Sequence, residues 1–132
     1  MDTIPENVKL VIVPDAGSND YEQHKILRDK GVDILVIDHH EADMISEDAC
    51  VINNQLSTRY SNKTLSGVGV VYKFCQYIDM FLKKEYADDL LDLVAVGMVS
   101  DMMDLRNFET KELIERGIHR LRNPFIAAFA EA

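Results

Sequence analysis

The chain has 132 residues, 47% of them hydrophobic and 28% charged, which is one domain's length in an ordinary globular composition and excludes a disordered segment. Fourteen Lys and Arg against 23 Asp and Glu leave a net charge of −9, which excludes a basic sleeve for a phosphate backbone; contact with nucleic acid would need metal ions or another basic segment. No apolar run nears the ~20 residues that span a bilayer. Residues 1–7 lack the basic start and long apolar stretch of a signal peptide. Cys50 and Cys75 form no metal-type pair and read as free thiols of a reducing compartment, so a cytoplasmic location without a membrane partner is expected.

In chain order, residues 9–14 (KLVIVP) are a β-branched apolar run that predicts a buried strand. Residues 15–19 are turn chemistry, with Ser18 or Asn19 ready to cap a helix over 20–30 that Gly31 stops. Residues 33–38 (DILVID) predict a second buried strand, and the strand–helix–strand spacing is that of a right-handed parallel unit. A third, shorter strand is expected at 49–53, then a polar loop to residue 65. Apolar residues at 68, 71, 72, 75, 78 and 82 predict a helix from Gly67 to about 84. A second helix is expected over 87–103, its centre apolar almost all round and so buried on most faces. A third is expected over 109–122, capped by Asn107 and ended by Pro124. The fold class is therefore α/β: a parallel sheet flanked by helices, with a helical second half.

Parallel sheets gather function outside the carboxyl ends of their strands. The first long strand ends in Asp15 and the second in Asp38, His39 and His40. A hydrophobic strand has no packing reason to end in three ionisable groups, which need hydrogen bonds, solvent or a metal. The residues fit either a solvated polar loop or a divalent-ion site of mixed carboxylate and imidazole, suited to Mn²⁺ or Mg²⁺. Asp101, at the end of the apolar helix centre, is either a capping or solvated acid or a further ligand. Ser66, Gly67 and Gly69 open a helix, where backbone N–H groups either cradle an anion or serve only tight packing. Asn53 and Asn54 lie at a strand end near the same rim, as substrate contacts or as turn formers.

The segment VDILVIDHHE, residues 32–41, resembles the signature motif of the DHH phosphoesterase superfamily. VPDAGS at 13–18 resembles that family's preceding aspartate motif, and VAVGMVSDMMDL at 94–105 its later one. LSGVGVVY at 65–72 is similar to a glycine-bearing helix start of the RecJ-type single-stranded-DNA-specific exonucleases. The resemblance implies a two-metal phosphodiesterase, usually manganese-dependent, acting 5′ to 3′ on single-stranded DNA. Carried over, it makes Asp15 a ligand bridging both metals, with His39 and Asp101 completing the shell of one. His40 would contact the scissile phosphate or its leaving oxygen, and Asp38 would hold an imidazole in its ligand tautomer. Single-strand-binding or other repair proteins are then expected as partners.

The family begins with another strand ending in alternating acids, whereas Asp2 is the one aspartate ahead of Asp15 here. It also ends in a smaller, basic substrate-binding domain. Residues 1–132 are therefore expected to be a single partial domain lacking both, with weak metal binding and little or no turnover alone. A small-substrate relative, cleaving nano-RNA, cyclic dinucleotides or pyrophosphate, is the alternative within the superfamily. A non-catalytic interaction or regulatory module is the alternative outside it.

Overall fold

The computed structural model of the chain describes residues 4–130; Asp2 lies outside them. Three parallel strands, β1 (Leu10–Pro14), β2 (Asp33–Asp38) and β3 (Cys50–Asn53), lie side by side in chain order. Alternation along β2 sorts the core into two layers. Ile34 and Val36 join Leu27 of helix α1 (Tyr21–Asp29) and Val11, Val13 and Val51 on one face. Leu35, Ile37 and Ile52 face the other layer, built on helices α2 (Gly67–Leu82), α3 (Leu91–Ser100) and α4 (Phe108–Ile118). On the edge strand β1, Leu10 and Ile12 remain exposed. Among the described residues, no helix is long and apolar enough to cross a membrane.

The parallel strands, the flanking helices and the Asn107 cap match the expectations; the Asn107 side chain accepts the N–H groups of Glu109 and Thr110. Three local expectations are corrected. First, neither Ser18 nor Asn19 caps α1. Asp20 holds that position without a side-chain bond, because Ser18 is buried beneath the second strand's end. Second, the predicted helix over 87–103 is a 3-10 turn (Ala87–Leu90) followed by α3, which stops at Ser100. Leu90, Leu93, Val96 and Val99 of this segment are exposed, since only the face carrying Leu91, Val94, Ala95 and Met98 meets α2 and α4. Third, Pro124 does not end the third helix. That helix stops at Ile118, and Pro124 begins another, α5 (Pro124–Ala130), where a missing N–H and a fixed φ are favourable.

Close contact between helices has identifiable causes. A Cβ on Gly117 would lie 2.3 Å from the Leu91 carbonyl oxygen, so α3 and α4 approach at a glycine. A Cβ on Gly97 would lie 2.6 Å from Val68 Cγ1, so α2 and α3 do the same. The turn between α4 and α5 is tied to α3 by Asp92, a buried carboxylate. It accepts the N–H groups of Leu93, Arg122 and Asn123 at 2.8, 2.8 and 2.6 Å. Burial opposes its charge, but these three donors outweigh burial and hold its pKa below the ordinary aspartate value. A lowered folded pKa contributes stability that is present above the unfolded pKa and lost as pH falls through the folded one. Asp92→Asn is therefore expected to flatten the acid limb of the stability–pH curve below about pH 4 and to cost about 1–3 kcal/mol at neutral pH. Urea unfolding at several pH values checks both.

Candidate metal and phosphate site

Register brings the chemistry to one rim. Pro14 pairs with Ile37 and Asp38 with Asn53, and Asp15 continues the ladder by donating its N–H to the Ile37 carbonyl at 2.8 Å. Asp15, Asp38 and Asn53 thus follow one another across the ends of three strands. Asp15 has φ of 60°, a left-handed conformation that costs a non-glycine residue roughly 1 kcal/mol and concentrates at functional positions. Met102, just after Asp101, has φ of 53°. Two acids of the predicted site therefore sit at or beside strained backbone.

Asp15 Oδ1 lies 3.3 Å from His39 Nε2. One ligand atom from each of Asp15, His39 and His40 falls within 4.8 Å of the others, a grouping able to hold a metal ion. Carboxylate and imidazole together suit a hard to borderline divalent cation. Asp101 stands outside that group. It caps the C-terminal end of α3 and is exposed. Its charge still reaches the cluster, since Asp101 helps to raise the pKa of His40.

Asp38 is not available to a cation directly. It is 1% exposed and receives four donors: Ser18 N–H at 3.0 Å, His39 N–H at 2.8 Å, His40 N–H at 3.3 Å and His40 Nδ1 at 2.7 Å. Burial works against its charge, yet the bonds from His40, Ser18 and His39 prevail and hold the carboxyl well below the usual range. In return, its hydrogen bond raises the pKa of His40 above the ordinary imidazole value. Partial burial opposes that shift, and the charges of Asp38, Asp15 and Asp101 reinforce it.

Helix α2 begins against this cluster. A Cβ on Gly67 would fall 1.9 Å from Asp15 Oδ1 and 2.8 Å from Asp15 Cβ, so glycine is required there for Asp15 to occupy its position. Ser66 is fully buried and its Oγ has no hydrogen-bond partner among the described residues. Asn54 faces inward, donating to the carbonyls of Asn62 and Leu65. Arg106, which sequence places near Asp101, pairs with Asp104 instead. His24 is buried with its Nδ1 at 3.0 Å from Ser46 Oγ and is not among the cation group. Cys50 and Cys75 are free thiols. Sequence reasoning missed Ser18; its signal was the spacing from Asp15, which returns the chain under the Asp38 carboxylate.

Fold and rim define a parallel α/β domain that collects carboxylate and imidazole at the carboxyl ends of its strands. Residues 1–98 match the DHH family, N-terminal domain, and the chain belongs to that family. It is 51% identical over 126 residues to YorK of the SPbeta prophage in Bacillus subtilis (strain 168), whose name provisionally assigns it single-strand-DNA-specific exonuclease activity; the match covers 96% of this chain and 22% of that protein. It is 34% identical over 115 residues to the single-stranded-DNA-specific exonuclease RecJ of Bacillus subtilis, covering 86% of this chain and 14% of that one. The chain therefore spans about a fifth or less of the length of these relatives. In fold it is similar to RecJ of Thermus thermophilus, crystallised in complex with Mn²⁺, with a TM-score of 0.76 and 24% identity over 85% of this chain and 17% of that one.

Proposed function

We propose that this chain carries part of the catalytic rim of a metal-dependent phosphodiesterase acting as a 5′-to-3′ exonuclease on single-stranded DNA, and that it is a partial domain, incomplete for turnover by itself. The observation that carries the reading is the juxtaposition of Asp15 Oδ1, His39 Nε2 and His40 at the ends of adjacent strands. Names of relatives matching 96% and 86% of the chain support the substrate class.

Asp15 and His39 would hold the cation, joined by Asp101. A carboxylate capping the negative end of a helix is unfavourably placed until a cation neutralises it, which suits Asp101 to that part. Mn²⁺ or Mg²⁺ bound there, in a two-ion arrangement completed by ligands from outside this chain, would activate water and stabilise the oxygens of an in-line displacement. His40, gripped through Nδ1 by Asp38, keeps Nε2 free for the scissile phosphate or its leaving oxygen. The raised pKa keeps that imidazole protonated to higher pH, where it offers a charge-assisted donor to developing negative charge. Ser66, Gly67 and Gly69 place the first N–H groups of α2 beside Asp15, where they can receive a phosphate oxygen. Asn53 stands at the same strand ends. Single-stranded DNA, with single-strand-binding or other repair proteins, forms the partner set, in the cytoplasm and in DNA repair and recombination.

In a complete enzyme carrying this domain, replacing Asp15, His39 or Asp101 by Ala is expected to lower Mn²⁺-dependent cleavage of 5′-labelled single-stranded DNA by more than about 100-fold, since even partners behind the ligands are worth 10–100-fold. Retained cleavage in all three variants would remove the assignment.

A further inference from the structure

Four residues, His40 of the cation group among them, close a hydrogen-bond ring that ties the ends of β2 and β3 to the turn after β1. Asn53 donates through Nδ2 to Ser18 Oγ at 2.7 Å and to the His40 carbonyl oxygen at 2.9 Å. Ser18 donates its backbone N–H to Asp38 Oδ2 at 3.0 Å, and His40 Nδ1 meets Asp38 Oδ1 at 2.7 Å. Asn53 Oδ1 accepts the Gln55 N–H at 2.7 Å. An amide nitrogen has two hydrogens, and both are spent inside the ring. Ser18, Asp38 and Asn53 are buried, whereas the His40 side chain is 59% exposed. Of the four, His40 alone faces the solvent side of the rim.

We infer that Asn53 is a positioning residue for His40. Its two donations fix the His40 main chain and, through Ser18, the carboxylate that clamps the imidazole. The inference rests on reading the rim as a cation and phosphate site, because only there does a fixed His40 ring have a chemical use. An exposed imidazole has few packing neighbours to hold it. Besides the Asp38 bond, the ring meets the edge of His39, with centroids 4.5 Å apart. Hydrogen bonds from below must supply the rest of its order. Asn53 thus acts on substrate through His40, with no donor left to touch it.

Histidine-labelled chain without metal gives the test, through the rate at which the His40 Nδ1 proton exchanges with water. Asn53→Leu keeps the side-chain size and deletes both donations without placing a new charge beside Asp38; the Gln55 N–H bond that it also loses lies outside the ring. The expected result is exchange about tenfold faster, the equivalent of one ordinary hydrogen bond, with the signals of buried His24 unmoved. A folded Asn53→Leu chain exchanging at the original rate overturns the inference, because a merely space-filling role would be preserved by that change. Should Asn53→Leu fail to fold, Ser18→Ala, which removes one acceptor of the ring, decides by the same rate. Added Mn²⁺ separates this from the underlying reading: absence of paramagnetic broadening at His39 and His40 in the original chain counts against the metal site, while the exchange rates still decide the role of Asn53.

Discussion

Asp38→Ala is expected to cost about 3–5 kcal/mol of unfolding free energy, the largest loss from any one substitution at the rim. The carboxylate is buried and satisfies the backbone N–H groups of Ser18, His39 and His40 together with the His40 ring. A buried donor left without a partner costs about 1–3 kcal/mol, and alanine abandons the buried Ser18 N–H together with the part-buried donors of His39 and His40. Against a typical domain stability of about 5–15 kcal/mol, that is a large share of the whole. Asp38→Asn should cost less, because the amide oxygen keeps half of the acceptor capacity. It also turns an N–H₂ group toward either Ser18 N–H or the His40 side, so it does not restore the native value. Urea unfolding followed by circular dichroism measures both; a loss below about 1 kcal/mol for Asp38→Ala would mean that the network is dispensable.

Gly67→Ala is expected to strike the site harder than the fold. Gly67 is the first residue of the 16-residue helix α2, where the advantage of about 1 kcal/mol that alanine has over glycine in a helix interior is only partly felt. The alanine Cβ would fall 1.9 Å from Asp15 Oδ1, 2.4 Å from Cγ and 2.8 Å from Cβ. Rotating the carboxylate away does not relieve a clash with Asp15 Cβ, so the residue itself must move. Asp15 is already held at a strained φ. The apparent Mn²⁺ affinity, read from the metal-induced rise in thermal midpoint, is therefore expected to fall at least about tenfold, while the metal-free midpoint drops by only a few degrees. A variant with undiminished Mn²⁺ response would show that the position of Asp15 is not what matters.

What could be read from residues alone followed from their physics. Strand β2 is apolar on both faces and ends abruptly in Asp38, His39 and His40, so its bounds and its rim were legible in the sequence. Parallel register then fixes Asp15 beside Asp38, because β1 pairs with β2 residue by residue up to Pro14. The uniformly apolar centre of α3 has no period to reveal which face is covered, so its exposed residues Leu93, Val96 and Val99 could not be told from its core. Pro124 punctuates a helix from either side; the Asn123 side chain, which accepts the N–H groups of Phe125 and Ile126, marks it as the start of one, and the Asp92 tie on Arg122 and Asn123 fixes the turn before it. Ser18 looks like a cap because its chemistry is that of a cap; its burial under Asp38 depends on a contact 20 residues away. Asp101 has the same limit, since the distance from a helix end to a sheet rim is set by packing.

The proposed function requires that the ends of β1 and β2, with the end of α3, bind a divalent cation. Anomalous X-ray scattering at the manganese edge, from crystals of this chain soaked in millimolar MnCl₂, tests that requirement most directly. The expected result is a peak coordinated by Asp15 Oδ1 and His39 Nε2, with the Asp101 carboxylate drawn toward it. A map with no peak at this rim, or with manganese bound only at other acids of the surface, would contradict it.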